Sequence, residues 1–92
     1  MKAPIEKGNL VISKKGRDKG RLFVVLYTLD AEYVFVCDGD LRKVARPKKK
    51  KRLHLAPTAY ACPELPELYE SGRLLDNDVR KALAPYQTAA AD

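Results

Sequence analysis

The stretch Gly16-Arg17-Asp18-Lys19-Gly20-Arg21-Leu22-Phe23-Val24-Val25-Leu26-Tyr27 joins a cationic, glycine-bounded turn to a run of β-forming residues. Within the run, Leu22, Val24 and Leu26 alternate with Phe23, Val25 and Tyr27, so a strand here is apolar on both faces. A sheet with one wet face alternates apolar with polar residues instead. Residues 32–38 repeat the pattern, with Val34 and Val36 on one side and Tyr33, Phe35 and Cys37 on the other. Such a sheet needs something to cover its outer face.

Working outward, Leu10-Val11-Ile12-Ser13 reads as a short strand, Arg21 to Leu29 as a longer one and Glu32 to Asp38 as a third. Residues 29–32 turn between the second and third. Asp38-Gly39-Asp40 turns before a short fourth strand expected around Leu41 to Ala45, and a fifth is expected across Arg52 to Leu55. Short strands with tight turns and no intervening helix suit a small, strongly bent antiparallel sheet or barrel of about five strands.

The cover is expected from two short C-terminal helices, one over residues 63–70 and one from Asp76 to Leu83. Leu65, Leu68 and Tyr69 fall at helical spacing. Pro66 fits only in a first turn, Gly72 suits the left-handed position past a helix end, Asp76 or Asn77 can cap the second helix, and Pro85 is expected to stop it. The organisation expected is therefore a mainly β barrel over residues 1–58 with a basic strip at 42–52, a helical extension over 59–86, and a frayed tail over 87–92.

Ninety-two residues allow one small domain and no large substrate cleft. Charge divides the chain: residues 1–55 hold 15 Lys or Arg against 6 Asp or Glu, a net +9, whereas residues 56–92 hold 3 against 6, a net −3. The basic part favours a polyanionic partner. It has two concentrations. In the first, Gly16 and Gly20 permit close backbone approach while Lys14, Lys15, Arg17, Lys19 and Arg21 supply charge, as a phosphate-binding loop requires. In the second, Arg42, Lys43, Arg46, Lys48, Lys49, Lys50, Lys51 and Arg52 follow the Asp38-Gly39 turn; the arginines suit bidentate phosphate contacts and the lysines a less directional strip, extended by Pro47. A solvated hairpin loop, a solvated charge run, an anionic membrane surface and a nuclear-localisation patch are the competing readings.

The glycine loop and its flanking strand, preceded by Gly8, Val11 and Ser13, resemble a KOW motif. Asp30, Tyr33-Val34-Phe35-Val36-Cys37-Asp38-Gly39, Arg42-Lys43 and Leu53-His54-Leu55 extend the likeness to the fourteenth large-subunit ribosomal protein family of eukaryotes and archaea and its small bacterial relatives. It covers about the first 55 residues. Many KOW sequences carry a glycine three residues after the one matching Gly20, where this chain has Phe23, which favours the ribosomal-protein branch over the transcription-factor branch. The resemblance implies an SH3-like barrel with the glycine loop at an RNA-facing end, ribosomal RNA as partner, and association with the ribosome or its proteins; His54 is expected to pack, cap a strand or touch the RNA. Recognition is then expected to rest on phosphate and shape, with Tyr27, Tyr33 and Phe35 serving mainly as core.

Enzymatic chemistry has little to work with. His54 is the single histidine, no serine or cysteine nucleophile lies near it, and the glycine loop lacks the Lys-Ser or Lys-Thr of a nucleotide hydrolase. Cys37 and Cys62 form no CxxC pair, so neither metal nor cofactor is expected, and both thiols are expected to be reduced in a cytoplasmic protein. No segment has the length and apolarity of a membrane span. A monomer is expected if the helices cover the sheet, and a homodimer if they do not. The alternative to RNA binding is a protein-interaction adaptor that uses the barrel and the acidic helices. A further possibility is that those helices fold over the basic strip and regulate access to it.

Overall fold

The computed structural model describes residues 5–91, with side chains through Gln87. Five strands, β1 (Asn9–Ser13), β2 (Leu22–Thr28), β3 (Tyr33–Cys37), β4 (Lys48–Lys51) and β5 (Leu55–Ala61), precede two helices, α1 (Glu64–Glu70) and α2 (Asp76–Ala91). The strands form one antiparallel sheet in the order β4-β3-β2-β1-β5. A single 3₁₀ turn, Arg52–His54, leads from one edge strand directly into the other. Connecting opposite edges through three residues requires the sheet to curl, and the result is a small, barrel-like antiparallel sheet followed by two helices, the mainly β architecture expected.

The two-faced strands bury two separate cores. Val11, Phe23, Val25, Val34, Val36 and Leu55 meet inside the barrel together with Ile5. Leu10, Leu22, Val24, Leu26 and Cys37 face outward and are covered by Cys62, Leu65, Leu74, Val79 and Leu83. The helices thus supply half of a core. Tyr27 departs from the alternation read in the sequence. A bulge between Val25 and Tyr27 inserts Leu26 opposite no partner, so Tyr27 pairs with Phe35 and packs on the helix side.

Other expectations need correction. Residues 41–45 form no strand: Val44 packs against the helix-side core, its N–H donates to Asp76 Oδ1 at 2.7 Å, and Leu41 is exposed. The fourth strand is the lysine run itself, and residues 52–54 form the 3₁₀ turn before β5. The strand β5 crosses the expected boundary at residue 58 and continues to Ala61.

The second helix is not short, because α2 passes through Pro85. Proline there removes the hydrogen bond to the Lys81 carbonyl, but both residues are exposed, and beyond Pro85 the Tyr86 ring lies 4.7 Å from that of Tyr60, anchoring the continuation. The frayed tail expected over 87–92 falls on residues whose side chains after Gln87 lie outside those described; the helical backbone reaches Ala91.

Gly39 fixes how α2 docks. It has φ +77°, and a Cβ there would stand 2.4 Å from the Asp76 carbonyl oxygen, so only glycine lets the 38–44 segment meet the start of α2. Arg80 donates to the Gly39 carbonyl from the same helix. Cys37 and Cys62 are free and buried in the helix-side core. Burial, helped by Asp38 and Asp76, pushes the Cys37 thiol up to about 12, and burial with nearby Glu64 raises that of Cys62. Both remain protonated and unreactive at neutral pH.

Candidate nucleic-acid interface

The β1–β2 connection, residues 14–21, is closed at its neck by Gly20 N–H donating to the Ser13 carbonyl at 2.8 Å and Ser13 N–H to that of Arg21 at 3.0 Å. Inside the neck lies a single carboxylate, Asp18, only 4% exposed. Lys50 Nζ, from the inward side of β4, sits 3.0 Å from Asp18 Oδ1, 3.0 Å from Ser13 Oγ and 3.3 Å from the Lys15 carbonyl. The Ser13 hydroxyl is 2.8 Å from Asp18 Oδ1 and 2.9 Å from the Lys15 carbonyl, and its one proton serves them in turn. Burial by itself would raise the Asp18 carboxyl. Hydrogen bonds from Lys50 and Ser13, with the Lys50 charge, outweigh it and hold the group below the usual aspartate range.

This clamp has an electrostatic consequence. The one acidic side chain of the loop is turned inward and neutralised, while Lys14, Lys15, Arg17 and Lys19 stay exposed outside. Gly20, at φ +88°, has open space where a side chain would stand, so a ligand can come close beside those cations, although its N–H is already given to the Ser13 carbonyl. A cleft of about 390 Å³, lined by Arg17, Asp18, Lys19, Gly20, Arg21, Leu22 and Gln87, opens there.

The remaining expected contacts divide sharply. Lys50 is 8% exposed and belongs to the clamp, so it is not a free phosphate ligand. Arg21 is committed to Asp38 Oδ2 at 2.7 Å, with Asp40 Oδ2 at 3.7 Å. Arg52 donates to the carbonyls of Asp30 and Ile5 and braces the barrel. Arg42 is half-buried, with its Nε enclosed and unpartnered among the described residues. His54 is half-buried in the 3₁₀ turn, where its carbonyl accepts from Lys14 N–H at 2.8 Å.

Lys43 and Arg46 are exposed in the 38–47 segment, and Lys48 is half-buried at the start of β4. On the outward side of β4, Lys49 lies over the Tyr33 ring, 4.4 Å from its centroid, and Lys51 pairs loosely with Glu32 at 3.6 Å. The loop and the strip are therefore adjacent, joined through Lys50, but the strip is a strand whose lysines point alternately to two sides. Sequence reasoning missed Ser13 and Asp18 as the parts that set the loop; the signal available was a lone acid within a run of cations.

Among the described residues no group of three His, Cys, Asp or Glu is placed to hold a metal, and no helix is long and apolar enough to cross a membrane. No family model and no curated protein matches this sequence.

Proposed function

We propose that this chain is a non-catalytic, KOW-type RNA-binding module that grips structured RNA, ribosomal RNA foremost, in the cytoplasm. The observation that carries this reading is the internal neutralisation of Asp18, which leaves the tip of a rigid loop with only cationic side chains outward. A loop meant merely to be solvated has no need of a buried lysine from another strand. Phosphate oxygens suit the exposed ammonium and guanidinium groups.

Replacing Lys14, Lys15, Arg17 and Lys19 together by alanine tests it without touching the clamp. If all four contact phosphate, the slope of log affinity against log salt is expected to fall by roughly 3, since each lost contact removes about 0.7 on single strands or 0.9 on a duplex. Affinity and slope equal to the wild type would remove the loop from the interface. Alanine across Lys48 to Lys51 is a poorer test, because it also destroys the clamp.

One observation favours a second reading, a protein adaptor. A groove of about 420 Å³, lined by Ile5, Leu53, Leu55, Ala56 and Pro57 together with Lys14 and Arg52, leaves Leu53 72% exposed. That reading takes precedence if the wild-type protein shows no affinity for RNA.

A further inference from the structure

We propose that the outer face of β3 and β4 is a stacking platform for unpaired bases, which makes single-stranded RNA a ligand of this module; the inference rests on the RNA-binding reading above. The starting point is where the helical cover stops. Tyr69 of α1 stacks on Tyr27 with centroids 5.7 Å apart, and Tyr27 stacks on Phe35 at 4.6 Å, the planes inclined by 15° and 16°. This column leads from beneath the helix out across β2 to β3. At its outer end Phe35 and then Tyr33 are half-buried and belong to neither core.

These two rings lie two residues apart on one strand and so share a face. Across the ladder Phe35 is opposite Lys49 and Tyr33 opposite Lys51. The face thus alternates rings and cations, Lys49 lying over one face of the Tyr33 ring at 4.4 Å, with Glu32 beside Lys51 and Asp30 within electrostatic reach of Lys49 as carboxylates facing them. Aromatic faces with adjacent cations are the two components by which proteins hold single strands, the rings taking bases and the ammonium groups the backbone. A ring standing on a sheet cannot reach the face of a paired base, which its neighbours in the duplex cover, so the ligand must present bases out of the stack. Packing of Phe35 against Tyr27 fixes its ring before any ligand arrives.

The platform also ties the two basic regions together. On β4, Lys50 points inward to the phosphate-binding loop while Lys49 and Lys51 point outward to the rings. A strand passing over this edge would meet the loop on one side and the platform on the other.

The test compares the wild type with the Tyr33→Leu/Phe35→Leu variant, which keeps apolar bulk but removes both rings, using a short unstructured oligouridylate and a duplex RNA as probes. Loss of roughly 10- to 100-fold in oligouridylate affinity is expected, with an unchanged salt slope and unchanged duplex affinity. Phe35→Tyr, which retains a ring, should bind like the wild type. Undiminished oligouridylate binding by the double variant, or an equal loss on the duplex, overturns the platform and leaves the RNA-binding reading standing. A wild type that binds neither probe overturns the reading, and the platform falls with it.

Discussion

A chain ending at Cys62 is expected not to fold. Residues 63–92 contribute Leu65, Leu74, Val79 and Leu83 to the helix-side core, each less than a tenth exposed. At roughly 1.5–3 kcal/mol for each buried aliphatic side chain, these four represent about 6–12 kcal/mol. That is comparable with the whole stability of a small domain, about 5–15 kcal/mol. Truncation would also uncover Leu10, Leu22, Val24 and Leu26 as a contiguous apolar face. Circular dichroism of the truncated protein is expected to show no cooperative thermal transition. A folded truncated barrel with raised RNA affinity would mean instead that the helices are a removable inhibitor.

Lys50→Met is the single substitution expected to do most damage to the loop. Methionine keeps much of the aliphatic stem but leaves Asp18 buried as an unpaired carboxylate, with Oδ2 already lacking a partner among the described residues. Breaking one side of a buried pair costs about 3–5 kcal/mol, whereas replacing both sides by apolar groups is often neutral. Denaturant unfolding is therefore expected to show a large loss in Lys50→Met and recovery in Lys50→Met/Asp18→Leu. RNA affinity should not recover with stability, because the double variant no longer sets the loop.

The pH dependence follows from the Asp18 carboxyl. Its folded pKa lies below its unfolded value, so its contribution is fully present above the ordinary aspartate pKa and is lost as pH falls through the lower, folded value. Part of the acid instability of the wild type should accordingly be absent from the double variant. Equal acid sensitivity in the two proteins would exclude the clamp as its source.

The first three strands and the need for helical cover were legible because both rest on local apolar patterning. Leu22, Val24 and Leu26 against Phe23 and Val25 announce two cores, and two cores are what the fold contains. The fourth strand was not legible. Four identical lysines carry no alternation, lysine is depleted in strands, and only pairing with β3 places Val34 opposite Lys50 and so decides which ammonium turns inward. At an edge, that same run of lysines discourages pairing with another chain.

The other misses also came from tertiary choices. The bulge that moves Tyr27 to the outer face depends on pairing with Phe35, and the passage of α2 through Pro85 is supported by Tyr86 meeting Tyr60. For the candidate site, the exposed cations of residues 14–19 could be read directly from composition and glycine spacing. The commitment of Arg21 to Asp38, of Arg52 to carbonyls and of Lys50 to Asp18 could not, since each joins residues far apart in the chain.

The most direct measurement is ultraviolet crosslinking of the wild-type protein to RNA in cells, with the crosslinked peptides identified by mass spectrometry and the bound RNA sequenced. The account predicts crosslinks within residues 14–21 and at Tyr33 or Phe35, on a defined RNA region. RNA crosslinked only to the acidic helices, or none recovered at all, would contradict it.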